Sequence, residues 1–493
     1  MPSSELQFLT TSGPADAGKL DIVHRRLVRS HARRASYRRS EPFPAASLPS
    51  NAASLRREAK EYASRFRLTS WSTKTSKRKR VDTKQRDINV SGREIVPAKL
   101  SPGVGPINSL PLPLIPMTES LLYFYHFEYR VDSFSINPEG NFFSVICNDA
   151  AALHALLSAV ATFRNVQVGI EDQIAMVHHG SEAVRLINEK LADQEAQLST
   201  LLIATVAALV IAEAAERNFD RASIHMRGLA TMVELRGGLQ TFDHCKVIQR
   251  LIAWADLSVS SAWDMPLSFP LLPSSSKTLT PTSDQLISET AIQFEIFGPS
   301  NVLMPSTSVL QSLQELQSIS RAISATSFDR DQRVAISDSI YVVEHQLLSL
   351  EFPRTKQCST RIDPSRSLCL AALVYLHLAI RELPLRAKRY RGLIERLFDS
   401  LRHHRDLSTL VSPEMSLCFF LWTFFLGATA SIGYPFRSFF VDGVVQVSAA
   451  LQIRSYPDFE RCLKQVVWLD RFCRPYCAAL WDEIGLHNRL AAL

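Results

Sequence analysis

In Ile224-His-Met-Arg-Gly-Leu-Ala-Thr-Met-Val-Glu-Leu-Arg-Gly-Gly238 the apolar residues Ile224, Leu229, Met232, Val233 and Leu235 recur at helical spacing, and two glycines follow at once. Glycine enters the left-handed region without a steric penalty, so Gly237-Gly238 reads as a C-terminal stop. An amphipathic helix with a defined end is the unit this stretch predicts, and the same unit repeats on both sides of it.

Upstream, Asn148-Asp149 supplies caps for a helix whose Leu153, Leu156, Leu157, Val160 and Ala161 share a face. Ile174, Val177, Val184, Ile187 and Leu191 mark a second. Downstream, Ile336, Ile340, Val343, Leu347 and Leu350 form a stripe closed by Pro353. Alternating strand patterns are almost missing after Leu121, so the fold class is all-α: a large irregular multi-helix domain without a short repeat period.

Two apolar runs require a membrane check. Leu201 to Ala212 is too short to cross about 30 Å of hydrocarbon. Met415 to Gly433 is borderline in length, but it stands alone and reads as a buried helix. No membrane association is expected.

The N-terminal part differs in kind. Residues 1–100 hold 22 Lys and Arg against 9 Asp and Glu, a charge of +13, which leaves −6 on the rest of a chain whose net charge is +7. Ser, Arg, Lys, Pro and Ala dominate residues 1–117, apolar residues are sparse, and the segment reads as a disordered basic arm. It ends in a linker, Ser101-Pro-Gly-Val-Gly-Pro followed by Pro111, Pro113 and Pro116. The helical domain is then placed at 118–490, as two lobes joined by a Pro/Ser-rich excursion near 266–305. Eight scattered cysteines and the lack of a basic-then-apolar leader fit a reducing compartment rather than secretion.

Catalytic signatures are missing: no dinucleotide glycine motif, no P-loop, no H-E-x-x-H and no nucleophile elbow occurs. The expectation is a protein that is not an enzyme and uses neither cofactor nor metal. His178-His179 cannot easily bind one metal, since adjacent helical residues point about 100° apart. Cys473 and Cys477 are four apart, but Pro475 lies between them and the bland reading, small residues packed in a core, is preferred.

The arm carries two basic runs. Arg25, Arg26, Arg29, Arg33 and Arg34 would contact phosphates; if helical, Arg25, Arg29 and Arg33 share a face. Such binding would be non-specific and would weaken steeply with salt, and a solvated charge run is its plain alternative. Lys77, Arg78, Lys79 and Arg80 form the compact cluster that an import receptor reads, which places the protein in the nucleus.

Four stretches carry a resemblance: Asp149-Ala-Ala-Ala-Leu-His-Ala-Leu-Leu-Ser-Ala-Val-Ala161, His179-Gly-Ser-Glu-Ala-Val-Arg-Leu-Ile-Asn-Glu-Lys-Leu191, the segment His225 to Leu239 with Ile252-Ala-Trp-Ala-Asp-Leu257, and Ser367-Leu-Cys-Leu-Ala-Ala-Leu-Val-Tyr-Leu-His377. In order and spacing they resemble the fungal-specific transcription factor domain, the helical regulatory region that usually accompanies a six-cysteine zinc cluster. The resemblance implies a nuclear regulator whose helical body binds other transcriptional regulators, nuclear proteins or a small effector. Residues 1–146 contain no cysteine, so the zinc-cluster module is not expected in this chain. The alternatives are a cytoplasmic helical interaction protein and a helical ligand sensor or enzyme.

Overall fold

The computed structural model describes residues 110–132, 134–169, 173–193, 196–272, 305–324, 328–350, 364–385, 387–402 and 414–491, which all fall within one unit. The basic runs at 25–34 and 77–80 and most of the Pro/Ser-rich excursion lie outside the described residues. Helices α1 to α7 are Pro116–Phe127, Phe142–Ile146, Ala150–Val168, Gln173–Leu191, Thr200–Ala215, Phe219–Leu235 and Lys246–Trp263. Helices α8 to α15 are Thr307–Ile323, Arg330–Ser349, Ser365–Tyr375, Tyr390–Leu401, Glu414–Ala430, Arg437–Ala450, Tyr456–Lys464 and Asp470–Ala491. No strand occurs among the described residues, so the fold is all-α.

Local chemistry sets several ends. The Asp149 carboxylate accepts from the Ala152 amide at 3.0 Å and caps α3, whose other end is closed by Gly169 at φ +74°. Gly237 and Gly238 take φ +98° and +95°, and their amides close the last turn of α6 on the carbonyls of Glu234 and Val233. Asp329 and Gln332 form a reciprocal capping box at the start of α9.

Helix α5 is apolar all round and is buried from Leu202 to Ala215 except at Glu213, with α3, α6 and α7 packed around it. Helix α7 is buried from Val247 to Ala262 and touches α9 and α11 as well, so it links the first seven helices to the rest. Helix α12, the other apolar run, is buried from Leu417 to Ala430 against α10, α13, α14 and α15. No helix among the described residues is long and apolar enough to cross a membrane. One apolar core runs from Leu112 to Ile484.

Two expected faces need correction. Ile174 and Val177 are 77% and 52% exposed, while α4 buries Ala175, His179, Ala183 and Ile187. Small residues win because α4 lies close to α3: a Cβ on Gly180 would stand 3.1 Å from Ser158 Oγ, and that hydroxyl donates to the Met176 carbonyl. On α6, Ile224 and Leu235 are exposed and His225 and Met226 turn inward with Leu229, Met232 and Val233. The stripe of α9 is buried as read from Ile336 to Leu347.

Helices α12 and α13 interlock through two reciprocal pairs. A Cβ on Gly427 would fall 2.2 Å from the Phe440 ring, and one on Gly443 2.3 Å from the Phe424 ring. Both rings are buried and cannot step aside. Gly427→Ala is therefore expected to cost about 3 kcal/mol by overpacking, read as a lowered urea midpoint of the full chain. Gly485→Ala in α15, where no described atom lies within 4 Å, should raise stability by about 0.5–1 kcal/mol; a similar loss in both variants would contradict the interlock.

Candidate functional site

The histidines and cysteines singled out in the sequence take packed positions. His179 Nδ1 lies 2.9 Å from His154 Nδ1 across the α3–α4 contact, so one imidazole donates a hydrogen bond to the other. Burial pushes both well below the ordinary imidazole value. No group of three or more His, Cys, Asp or Glu among the described residues is placed to hold a metal. Cys473 and Cys477 are buried in the core, where burial pushes both thiols up to about 12, far from the reactive thiolate range.

The densest chemistry lies elsewhere, where five parts of the chain meet. Helix α10 continues into a π turn, Leu376–Ile380, closed by the Arg381 amide on the Leu376 carbonyl at 2.9 Å. Such wide turns are frequent where helices carry functional residues. This one directs both His377 and Arg381 to Glu344 of α9: His377 Nε2 lies 2.9 Å and Arg381 Nη1 2.7 Å from Glu344 Oε1. The second Glu344 oxygen accepts from Trp254 Nε1 of α7 at 3.2 Å.

Arg381 also grips Asp132, in the turn after α1, with Nε at 2.6 Å and Nη2 at 3.1 Å from its two oxygens. The bidentate fit is the strong form of this pair. The backbones join too, the Asp132 amide donating to the Arg381 carbonyl at 3.1 Å. Asp132 and Glu382 both sit at positive φ, +55° and +54°, a conformation non-glycine residues adopt only when held there. Helix α9 secures the Asp132 turn further, because Arg333 and Ser337 donate to the carbonyls of Pro138 and Ser135.

Burial alone would raise the Glu344 carboxyl, but Arg381 and His377 beside it outweigh burial and hold it down to about 2. Burial pushes His377 down to about 4 against the pull of Glu344, so near pH 7 it donates as a neutral imidazole. Burial also opposes the charge of Arg381, yet Asp132 and Glu344 keep it firmly protonated.

The first residues of α11 complete the junction. Arg389 Nη2 lies 3.4 Å from Ser258 Oγ of α7, and the Tyr390 ring packs 6.1 Å from that of His377. The arrangement holds no activated nucleophile beside a base. It joins α7, α9, α10, α11 and the turn after α1 in a single geometry. Asp256, two residues beyond Trp254 on α7, accepts from the amides of Ser268 and Phe269 and fixes the chain leaving that helix.

None of the junction's charged partners was marked in the sequence, although Trp254 and His377 fall within the stretches that carried the resemblance. A legible signal existed in Glu344, a charge set between Ile340 and Leu347 on the apolar stripe of α9.

No curated protein and no solved structure matches the chain. A family model described as "Fungal specific transcription factor domain" matches residues 120–471, from within α1 to the start of α15, and so takes in the whole junction. With well over half of its length inside that match, the chain belongs to the fungal-specific transcription factor domain family, whose role is transcription-regulatory and which is not a family of enzymes.

Proposed function

We propose that this protein is a nuclear transcription regulator whose helical body binds other regulators, nuclear proteins or a small effector. The basic arm supplies import through Lys77, Arg78, Lys79 and Arg80 and non-specific phosphate contacts through Arg25, Arg26, Arg29, Arg33 and Arg34. The family match carries the reading, and the charge division supports it: a strongly basic arm on an acidic body fits an arm that meets an import receptor or a polyanion.

The test is localisation of the full chain fused to a fluorescent protein. The native fusion is expected in the nucleus, and the variant Lys77→Ala, Arg78→Ala, Lys79→Ala, Arg80→Ala in the cytoplasm. A native fusion confined to the cytoplasm would sink the nuclear reading in favour of a cytoplasmic interaction protein. Unchanged nuclear signal in the variant would overturn the role given to this cluster.

A further inference from the structure

Helix α4 rests chiefly on α3 and only lightly on α5. It buries one large apolar side chain in full, Ile187, beside Ala175, His179 and Ala183, while Ile174 and Val177 face outward. Helix α5, in contrast, is buried from Leu202 to Ala215 except at Glu213. Three polar contacts fasten α4 to α3: His179 Nδ1 to His154 Nδ1 at 2.9 Å, Ser158 Oγ to the Met176 carbonyl at 3.1 Å, and Lys190 to Asp149. Segments that bury little apolar surface open locally at lower cost than a core helix.

The histidine contact depends on protonation. Two Nδ1 atoms at 2.9 Å share a single hydrogen, one ring donating and the other accepting. His154 is 8% and His179 1% exposed, and His179 Nε2 has no hydrogen-bond partner among the described residues. A first added proton therefore puts an imidazolium in a buried place, and a second leaves two charged N–H groups facing each other across the contact. Burial accordingly holds His154 down to about 4 and His179 to about 3. Once α4 leaves, both rings meet water and return toward the ordinary value near 6.5. On α4, Glu182 favours the charged form of His154 while His178 and Arg185 oppose it, and Arg185 is itself paired with Glu182 and Glu189. The one Arg of α3, Arg164, donates to Ser120 of α1, and the one charged residue of α5 is Glu213.

We propose that the His154–His179 contact is a proton-operated latch, so that acidification releases α4 from α3 ahead of the rest of the helical body. Opening takes up two protons, one on each ring, and both must be given back before α4 docks again. Release uncovers the face of α3 that carries His154 and Ser158. The other buried histidines, His225 on α6 and His377 in the π turn, lie outside this contact, so their titration acts on the body and leaves this step alone.

Hydrogen–deuterium exchange of the full chain reads the opening, followed by mass spectrometry at pH 7.5 and pH 5.5 and corrected for the intrinsic rate of free amides. Between these two values each released histidine contributes about tenfold, so opening of residues 173–191 should rise about 100-fold. At pH 5.5 these amides should exchange well before residues 202–212 of α5. His179→Asn should cut the rise to about tenfold, and His154→Asn combined with His179→Asn should nearly abolish it, whereas His225→Gln should leave it at about 100-fold. If the double variant fails to fold, His179→Asn and the comparison of α4 with α5 decide. The proposal is overturned if α4 and α5 lose protection together at pH 5.5, or if the histidine variants of the contact keep the full rise.

Discussion

Lowering the pH from 7 to 5 is expected to destabilise the helical body by several kcal/mol, a loss drawn from four buried histidines. His154, His179, His225 and His377 are all buried. Burial lowers each of them, His225 and His377 to about 4. A group whose folded pKa lies below its unfolded value near 6.5 binds its proton more readily in the unfolded chain. Stability is then complete above 6.5 and drains away as the pH falls toward 4. A typical domain has about 5–15 kcal/mol in all, so four such groups decide the outcome.

Glu344 does not offset this loss, because its own contribution disappears only as the pH approaches 2. Glu213 and Asp256, whose carboxyls burial raises, act in the opposite sense. Circular dichroism at 222 nm of the full chain checks the expectation, and His225→Gln should move the acid midpoint lower. An unchanged urea midpoint between pH 7 and pH 5 would contradict it.

Replacing Arg381 is the second large effect. Arg381→Met leaves Asp132 and Glu344 buried without the cation that both of them touch, and should cost about 3–5 kcal/mol in a urea titration. The triple variant Arg381→Met, Asp132→Asn, Glu344→Gln removes the stranded charges too and should recover much of that loss. Neutral partners are often tolerated where half of an ion pair is not. A single variant within 1 kcal/mol of the native chain would show that the junction is not what joins these helices.

The apolar runs of α5 and α12 and the ends set by Asp149 and Gly237-Gly238 were legible from residue types alone, because burial and capping are local decisions. The faces of α4 and α6 were not. Hydropathy favours Ile174 over Ala175, whereas close approach of two backbones favours the small side chain, and only the neighbouring helix makes that choice. The junction was still less visible. Glu344 and His377 stand out as polar residues within apolar helices, but Asp132 looks like any turn aspartate until Arg381 is beside it. The spacings of the basic arm were readable, and they lie outside the described residues.

The grip of Arg381 on Asp132 spans 249 positions of the chain. Protein synthesis proceeds at about 5–20 residues per second, so Asp132 emerges from the ribosome roughly 10–50 s before its partner exists. Through that interval α1 to α7 can pack on one another, but the turn holding Asp132 lacks the arginine that grips it, and Trp254 meets Glu344 only after α9 is made. The closing of this junction is thus timed by translation. A nascent chain stalled anywhere before residue 381 is left with an unfinished centre for chaperones to guard.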